Sequence, residues 1–580
     1  MTRPHPRHPT ILHALLAAAE QGHHAPTVTL AHDTTHQETL RHDTLLDAAA
    51  RTAAALAEHG IRPGDRVVLC LPTAAPFPTA FLGTQLLGAT PTAIAVPARL
   101  GGAAGFESQL KDLLDYLRPA ALITTPTVIT ALPHLTDTHL TDTRLINADT
   151  LHTRALDPTA PTHPLNPPHP DTLALIQCTS GSTGTPKGVQ ITHANLAANC
   201  EQFTTALHWT PHDTTVSWAP LYHDMGLITG LMCPLYAGAD TVLMPPTRFL
   251  RAPTEWLHHI TTHHGTIAAA PNFAYGYLTT RVNDNDLNGI DLSTWRIALC
   301  GAEPVKPATI KPFIERFTRW GLPPNAFTPA YGMAEATLVI TTTHPDTPLT
   351  HDSINRHTAA THHTATDTDP NSPDALHIVD CGPPLTNTRI RITDTHNQPL
   401  PDNHIGHIQF QSPSRTTGYH NLPHETRNAT TPDGWWKTGD IGYLRNGNLR
   451  ITGRAKDLII IRGANYYPTD IEHAAETVPG IRPGAVIALA HQPDHTDTEE
   501  LHLIAETELH PTHHHTLRQA IHAAITTHTG IHTTTIHLVP KRAIPKTTSG
   551  KLQRTKAREL FLHTTPPTTP PTTATTTPAT

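Results

Sequence analysis

The stretch "TSGSTGTPKG", Thr179–Gly188, directly follows the apolar run "LALIQ", Leu173–Gln177. A strand that runs into hydroxylated residues, glycines and then a lysine is built to hold phosphate. Thr179, Ser180, Ser182 and Thr183 offer hydroxyls, and Gly181 and Gly184 let backbone N–H groups approach an anion. It is not a P-loop. Counting from Gly181, Pro186 stands where G-x-x-x-x-G-K-[ST] needs its second glycine, and Gly188 stands where Ser or Thr should meet magnesium.

Composition narrows what surrounds this loop. At 580 residues the chain exceeds one compact core, so two or more domains are expected. The net charge is −8, only 15% of residues are charged, and there is no basic stripe, which argues against nucleic acid as a partner. The longest apolar runs, "VVLCLP" (Val67–Pro72) and "LIII" (Leu458–Ile461), are strand-sized, so no stable membrane span is expected. The N-terminus has Pro, His and an early Glu around its small apolar patch and does not read as a signal peptide. Six cysteines without C-x-x-C pairs read as buried free thiols, and a cytoplasmic location follows as an expectation. The 46 histidines are interleaved with Thr, Pro and Asp, so they read as compositional bias with solvated side chains rather than metal ligands.

Along the chain, apolar runs alternate with helix-like stretches from about residue 25 to 180, which predicts helices packed on largely parallel sheets. "LLDAAARTAAALAEHG" (Leu45–Gly60) puts Leu45, Ala49 and Leu56 on one face, and "RVVLCL", "AALITT" and "LALIQC" read as buried strands. "THANLAANCEQFTTAL" aligns Leu196, Cys200, Phe203 and Leu207, with Thr192 as N-cap. A second αβ region spans about 215–340 and includes the strand in "RIALCGAEPV" (Arg296–Val305). From about 385 the texture turns to strand and turn, suiting an antiparallel barrel-like subdomain. After "GRAKD" (Gly453–Asp457) come two strands, a helix with Leu517, Ile521, Ala524 and Ile525 in line, and a basic loop. The expected fold class is therefore α/β: a large N-terminal domain (1–453) of two αβ subdomains and a β-barrel-like one, then a small α+β domain (454–562). Residues 563–580 are Thr/Pro-rich and read as a disordered tail.

Four further stretches join the opening loop in fixed order: "AYGMAEAT" (Ala330–Thr337), "GWWKTGDIGYL" (Gly434–Leu444), "GRAKDLIIIRGANYYPTDIE" (Gly453–Glu472) and "PKTTSGKLQRTKARE" (Pro545–Glu559). Each alone has a bland reading as turn, core or solvated charge. Together they closely resemble the adenylate-forming acyl-activating (ANL) superfamily over about residues 10–562, and fatty acyl-AMP ligases most of all. "WAPLYHDMGLITG" (Trp218–Gly230) belongs to the same resemblance.

The resemblance implies a carboxylate attacking the α-phosphate of ATP, with pyrophosphate leaving, and then a thiol displacing AMP. It assigns Thr179, Ser180, Gly181, Ser182, Thr183, Gly184 and Lys187 to the departing phosphates, and Thr183 and Glu335 to Mg²⁺, a cation that prefers oxygen ligands. Gly301, Ala302 and Glu303 with Tyr331, Gly332 and Met333 would form the adenine slot. Asp440 would accept the ribose hydroxyls, Arg454 would reach the ribose, and Lys551 would neutralise the transition state from the small domain, swinging about Asp457.

The acid resembles a medium- or long-chain fatty acid, with His223 as gate and Met225, Leu227, Ile228 and Leu231 suiting an alkyl tail. The polar segment 341–382 has the length of the insertion that fatty acyl-AMP ligases carry, which implies an acyl carrier protein in trans as thiol acceptor, in lipopeptide, polyketide or lipid assembly. Ala464 in "RGANYYP" departs from the arginine of the family pattern. An acyl-CoA ligase is the alternative within the enzyme class, and a non-catalytic acyl-adenylate-binding scaffold is the alternative outside it.

Overall fold

A computed structural model of the chain describes residues 6–20, 26–96, 103–131, 143–179, 187–461, 464–491, 499–531, 534–546 and 552–562. It divides into two compact units, one ending at Lys456 and one beginning at Asp457, three residues beyond the 453/454 boundary read from the sequence.

In the first unit the alternation of short apolar strands and helices produces two sheets of mainly parallel strands. One is all parallel, in the order Thr90–Ala93, Arg66–Cys70, Ala121–Thr124, Arg144–Asn147. Its helix His42–Glu58 buries Leu45, Ala49 and Leu56, the predicted stripe, completely. The larger sheet has eight strands among the described residues. Phe327–Gly332, Ile297–Cys300, Ile267–Ala270, Thr214–Ser217, Asp240–Leu243 and Thr27–Ala31 run parallel in that order. Antiparallel Val339–Thr342 and Gln37–Arg41 close its two edges. An aromatic core covers one face, where Trp218 stacks on Phe249 at 4.0 Å and Trp256 packs edge-on to Trp295 at 5.2 Å.

Leu173–Thr179 does not join a parallel sheet. It pairs antiparallel with Lys187–Thr192, which pairs in turn with Gly418–Tyr419. A buried apolar run reports burial on both faces but not the direction of its neighbour. Strand Lys187–Thr192 feeds helix His193–Ala206 through the predicted cap: Thr192 Oγ1 accepts from Asn195 N at 3.1 Å, and Asn195 Oδ1 accepts in return from Thr192 N. Strands Arg389–Thr393, Gly406–Gln411, Trp436–Arg445 and Asn448–Arg454 form an antiparallel sheet, as the strand-and-turn texture implied.

The polar segment 341–382 is folded rather than a loop. His351–Asn355 and Ala375–Val379 pair antiparallel around helix Arg356–Thr361. Charge anchors it: the Arg450 guanidinium lies 3.1 Å from both Asp352 and Asp380, and Tyr443 donates to Asp352 Oδ2 at 2.8 Å.

In the second unit, Ile481–His491 pairs antiparallel with Glu500–Thr507, which pairs parallel with Thr534–Val539. Helix His514–Thr529 buries Leu517, Ile521 and Ile525 on one face, with Ala524 packed partly against the same core. The stretch read as a basic loop holds a helix, Arg554–Leu562, whose Ala557 packs on Ile487, Leu489 and Ile504. Asp457, the expected hinge, lies 3.6 Å from Arg554, which also grips Glu472. The Thr/Pro tail 563–580 lies outside the described residues.

All six cysteines are free thiols and all but Cys178 are buried; burial pushes Cys70 and Cys381 up to about 12. The expectation of solvated histidines fails at His42, His193 and His259, which are 0–4% exposed. Among the described residues no three His, Cys, Asp or Glu groups could hold a metal ion together, and no helix is long and apolar enough to cross a membrane.

Candidate active site

Ser180, Gly181, Ser182, Thr183, Gly184 and Lys551 lie outside the described residues. The remaining candidates of the first unit fall into three neighbouring groups.

The first follows from strand register. Cys300 lies opposite Pro329 on parallel strands, so the chain beyond them sets Gly301, Ala302 and Glu303 beside Ala330, Tyr331 and Gly332. In an open parallel sheet, ligands bind beyond the carboxyl ends of the strands. A side chain on Gly301 would meet Ala330 O at 3.1 Å, and Ala302 holds a left-handed φ of 68°. The Glu303 carboxylate is engaged elsewhere. Its Oε1 accepts from Phe273 N at 2.5 Å, at the start of helix Asn272–Arg281.

Tyr331 donates to Asp440 Oδ2 at 2.7 Å, and Arg454 Nε lies 3.1 Å from Asp440 Oδ1. Asp440 and Arg454 are opposed residues of the antiparallel pair Trp436–Arg445 and Asn448–Arg454, so the backbone ladder sets their distance. Asp440 is 6% exposed, whereas the Arg454 side chain is 56% exposed. Each carboxylate oxygen has a second lone pair, so two further donors can be accepted there. Burial and the neighbouring Asp440 charge raise the Tyr331 phenol well above its usual range, which keeps it a donor.

The second group surrounds Glu335. A bulge between Tyr331 and Gly332 throws the chain into the tight turn Ala334–Ala336, closed by Met333 N donating to Leu338 O at 2.8 Å. Only glycine fits at 332, because a Cβ there would lie 1.7 Å from Leu338 O. The turn ends at Thr337 with φ of 71°, a costly conformation for a β-branched residue, held by Oγ1 donating to Ser414 O at 2.8 Å. Met333 is half-buried beside this turn. Glu335 itself is 8% exposed, and its Oε1 accepts from the Tyr419 hydroxyl at 2.7 Å. Burial pushes its carboxyl up against the opposing Tyr419 hydrogen bond, and the nearby Asp224 charge pushes the same way. A hard divalent cation would relieve both effects, so this donor set fits magnesium.

Asp224 pairs with His223 Nδ1 at 2.7 Å and caps the following segment by accepting from Met225 N. Met225–Met232 winds as a π-helix, a form that recurs at functional sites, and Gly226 is required there because a Cβ would lie 2.1 Å from Pro220 O. Leu227, Ile228 and Leu231, expected against an alkyl tail, are packed into the core at 0–1% exposure, and Met225 keeps 7%.

The third group is at the end of the phosphate loop. Lys187 Nζ lies 2.7 Å from Glu425 Oε2 and 4.9 Å over the Tyr419 ring. Thr179 sits across the hairpin, opposite Lys187, its hydroxyl donating to Lys187 O at 3.3 Å. Tyr116 locks the register: its hydroxyl accepts from Gly188 N at 3.1 Å and donates to His420 O at 2.6 Å. Tyr116, Tyr419, Glu425 and Asp224 were not among the residues picked from the sequence. The only local signal for them is the "GY" pair, where Gly418 has φ of 141° and abuts Thr426.

A family model described as AMP-binding enzyme matches residues 16–420. The chain belongs to the AMP-binding enzyme family. It is an AMP-forming ligase of the adenylate-forming superfamily. Long-chain-fatty-acid--AMP ligase FadD32 of Mycolicibacterium smegmatis is 34% identical over 569 residues, covering 89% of this chain and 88% of that protein. Medium-chain-fatty-acid--[acyl-carrier-protein] ligase JamA of Moorena producens is 36% identical, covering 68% of this chain and 69% of that protein. A solved structure from studies of fatty acyl-adenylate ligases of E. coli and L. pneumophila superposes with a TM-score of 0.88 at 31% identity, over 96% of this chain and 98% of that one.

Proposed function

We propose that the protein activates a medium- or long-chain fatty acid to an acyl-adenylate with release of pyrophosphate. It then passes the acyl group to the phosphopantetheine thiol of a separate acyl carrier protein. The observation that carries this reading is the convergence, within one unit, of the Tyr331–Asp440–Arg454 group with Glu335 and Lys187. Asp440 orients the ribose through its remaining lone pairs, Tyr331 and Gly332 line the adenine slot with Gly301 and Ala302, and Lys187 offsets charge on the phosphates. Bound magnesium supplies positive charge to the phosphate oxygens, and Glu335 with Thr183 would hold it. Lys551 offsets charge in the transition state, and Asp457 is the hinge.

The acid and the acceptor rest on the kinship with FadD32, JamA and the fatty acyl-adenylate ligase structure. The folded segment 341–382 is the counterpart proposed for the insertion that disfavours CoA. The test offers the purified protein a fatty acid, ATP, Mg²⁺ and either holo carrier protein or CoA, and follows the thioester by mass spectrometry. Thioester on the carrier with little acyl-CoA is expected. Ready acyl-CoA formation would assign a CoA ligase instead, and acyl-adenylate binding without pyrophosphate release would assign a scaffold.

A further inference from the structure

Tyr419 touches two charged groups of the candidate site. Its hydroxyl donates to Glu335 Oε1 at 2.7 Å, and its ring face lies 4.9 Å beneath Lys187 Nζ. Strand register explains the second contact. Tyr419 pairs with Val189, so Lys187, two residues earlier on the same strand, is its diagonal neighbour on the same sheet face. The ring cannot drift. Trp436 packs edge-on at 5.5 Å, Tyr419 N donates to Thr426 Oγ1 at 2.9 Å, and the residue is 9% exposed. The backbone is fixed as well, since Gly188 O accepts from His420 N at 2.8 Å and Thr416 N donates to Glu335 O at 2.8 Å.

We propose that Tyr419 is a positioning residue for the adenylation half-reaction: it holds one oxygen of Glu335 so that the other is left to take a metal, and its ring face fixes Lys187. The proposal rests on reading Glu335 as the magnesium-holding carboxylate. A phenol buried against a carboxylate keeps it oriented, much as outer partners orient metal ligands generally. The ring separately gives the ammonium of Lys187 a place to rest beside Glu425.

The variant Y419F removes the hydroxyl and keeps the ring, so it isolates the contact to Glu335. Affinity for Mn²⁺ is read by electron paramagnetic resonance on the full chain with α,β-methylene-ATP, beside the Mg²⁺ dependence of pyrophosphate release and thermal unfolding. Y419F is expected to weaken Mn²⁺ binding about tenfold, a loss typical of removing an outer partner of a ligand, and to raise the Mg²⁺ needed for half-maximal rate in parallel. In an E335Q background the same change is expected to cost nothing further. Mn²⁺ affinity of Y419F within about twofold of wild type would overturn the proposal, even if the melting temperature fell. An equal loss from Y419F on top of E335Q would overturn it too, and that comparison survives if the single variant folds poorly. If E335Q itself left Mn²⁺ affinity unchanged, the reading of Glu335 would fail instead.

Discussion

The Tyr331 hydroxyl stands 2.7 Å from Asp440 Oδ2 while Arg454 Nε stands 3.1 Å from Oδ1, so a buried carboxylate is held at both oxygens by residues from two different sheets. Such a group is oriented before any ligand arrives. With Asp440 proposed to hold the ribose, D440A should lower fatty-acid-dependent pyrophosphate release on the order of 10²-fold. Y331F removes one hydrogen bond to a charged group and should cost about tenfold. Initial-rate kinetics at varied ATP separate the two.

Lys187 offers a different test. Its ion pair with Glu425 is partly exposed, with side chains 27% and 41% accessible, so salt and phosphate compete for the same ammonium. K187M should raise the KM for ATP about tenfold with a smaller effect on kcat. E425Q should lower that KM modestly at low ionic strength, with the gain fading in high salt. An unchanged KM in both variants would remove Lys187 from the phosphate site.

At Gly332 a single methyl group would lie 1.7 Å from the Leu338 carbonyl oxygen, backbone against backbone. G332A should therefore destabilise the first unit by more than about 3 kcal/mol, since neither atom is on a flexible side chain. Urea unfolding monitored by tryptophan fluorescence measures it.

Two buried histidines make stability depend on pH. His42 and His193 are 0% and 1% exposed, and burial lowers their pKa to about 4 and about 3. Each opens a helix, where a positive charge is also opposed by the helix dipole. In the unfolded chain they take protons near the ordinary histidine value of 6.5. As pH falls through that value the unfolded state binds protons that the native state refuses, so stability drops. The loss is about 1.4 kcal/mol per pH unit per histidine until each folded pKa is reached, and none arises above pH 7. H193Q should flatten the dependence of the urea midpoint on pH between about 4 and 6 by close to one proton.

Much of this was legible in the sequence wherever the signal is local. Thr192 with Asn195 three residues on is a cap in either description, and the Leu45, Ala49, Leu56 stripe faces inward as its spacing required. What escaped was set by remote chain. The direction of Leu173–Thr179 is decided by Lys187–Thr192 and Gly418–Tyr419, not by its own apolar run. Segment 341–382 reads as loop because its Thr and His residues mask alternation, and its fixing charge, Arg450, lies 98 residues from Asp352. Tyr419 is 84 residues from the carboxylate it serves, and the neighbouring Gly418 marks a tight backbone without revealing that pairing.

Lys551 should divide the two half-reactions. With Lys551 proposed as the cation of the adenylation transition state, K551A is expected to lower acyl-adenylate formation on the order of 10³-fold while transfer from supplied acyl-adenylate persists. Single-turnover assays of each step check this, and equal losses in both would contradict the division.

The most direct test of adenylation is mass spectrometry of the products from a panel of fatty acids of graded length, with ATP and Mg²⁺ and no thiol present. Adenylation predicts acyl-AMP and pyrophosphate in equal amounts for some chain length, abolished by D440A. ADP and phosphate as products, or no acyl-AMP with any acid in the panel, would contradict it.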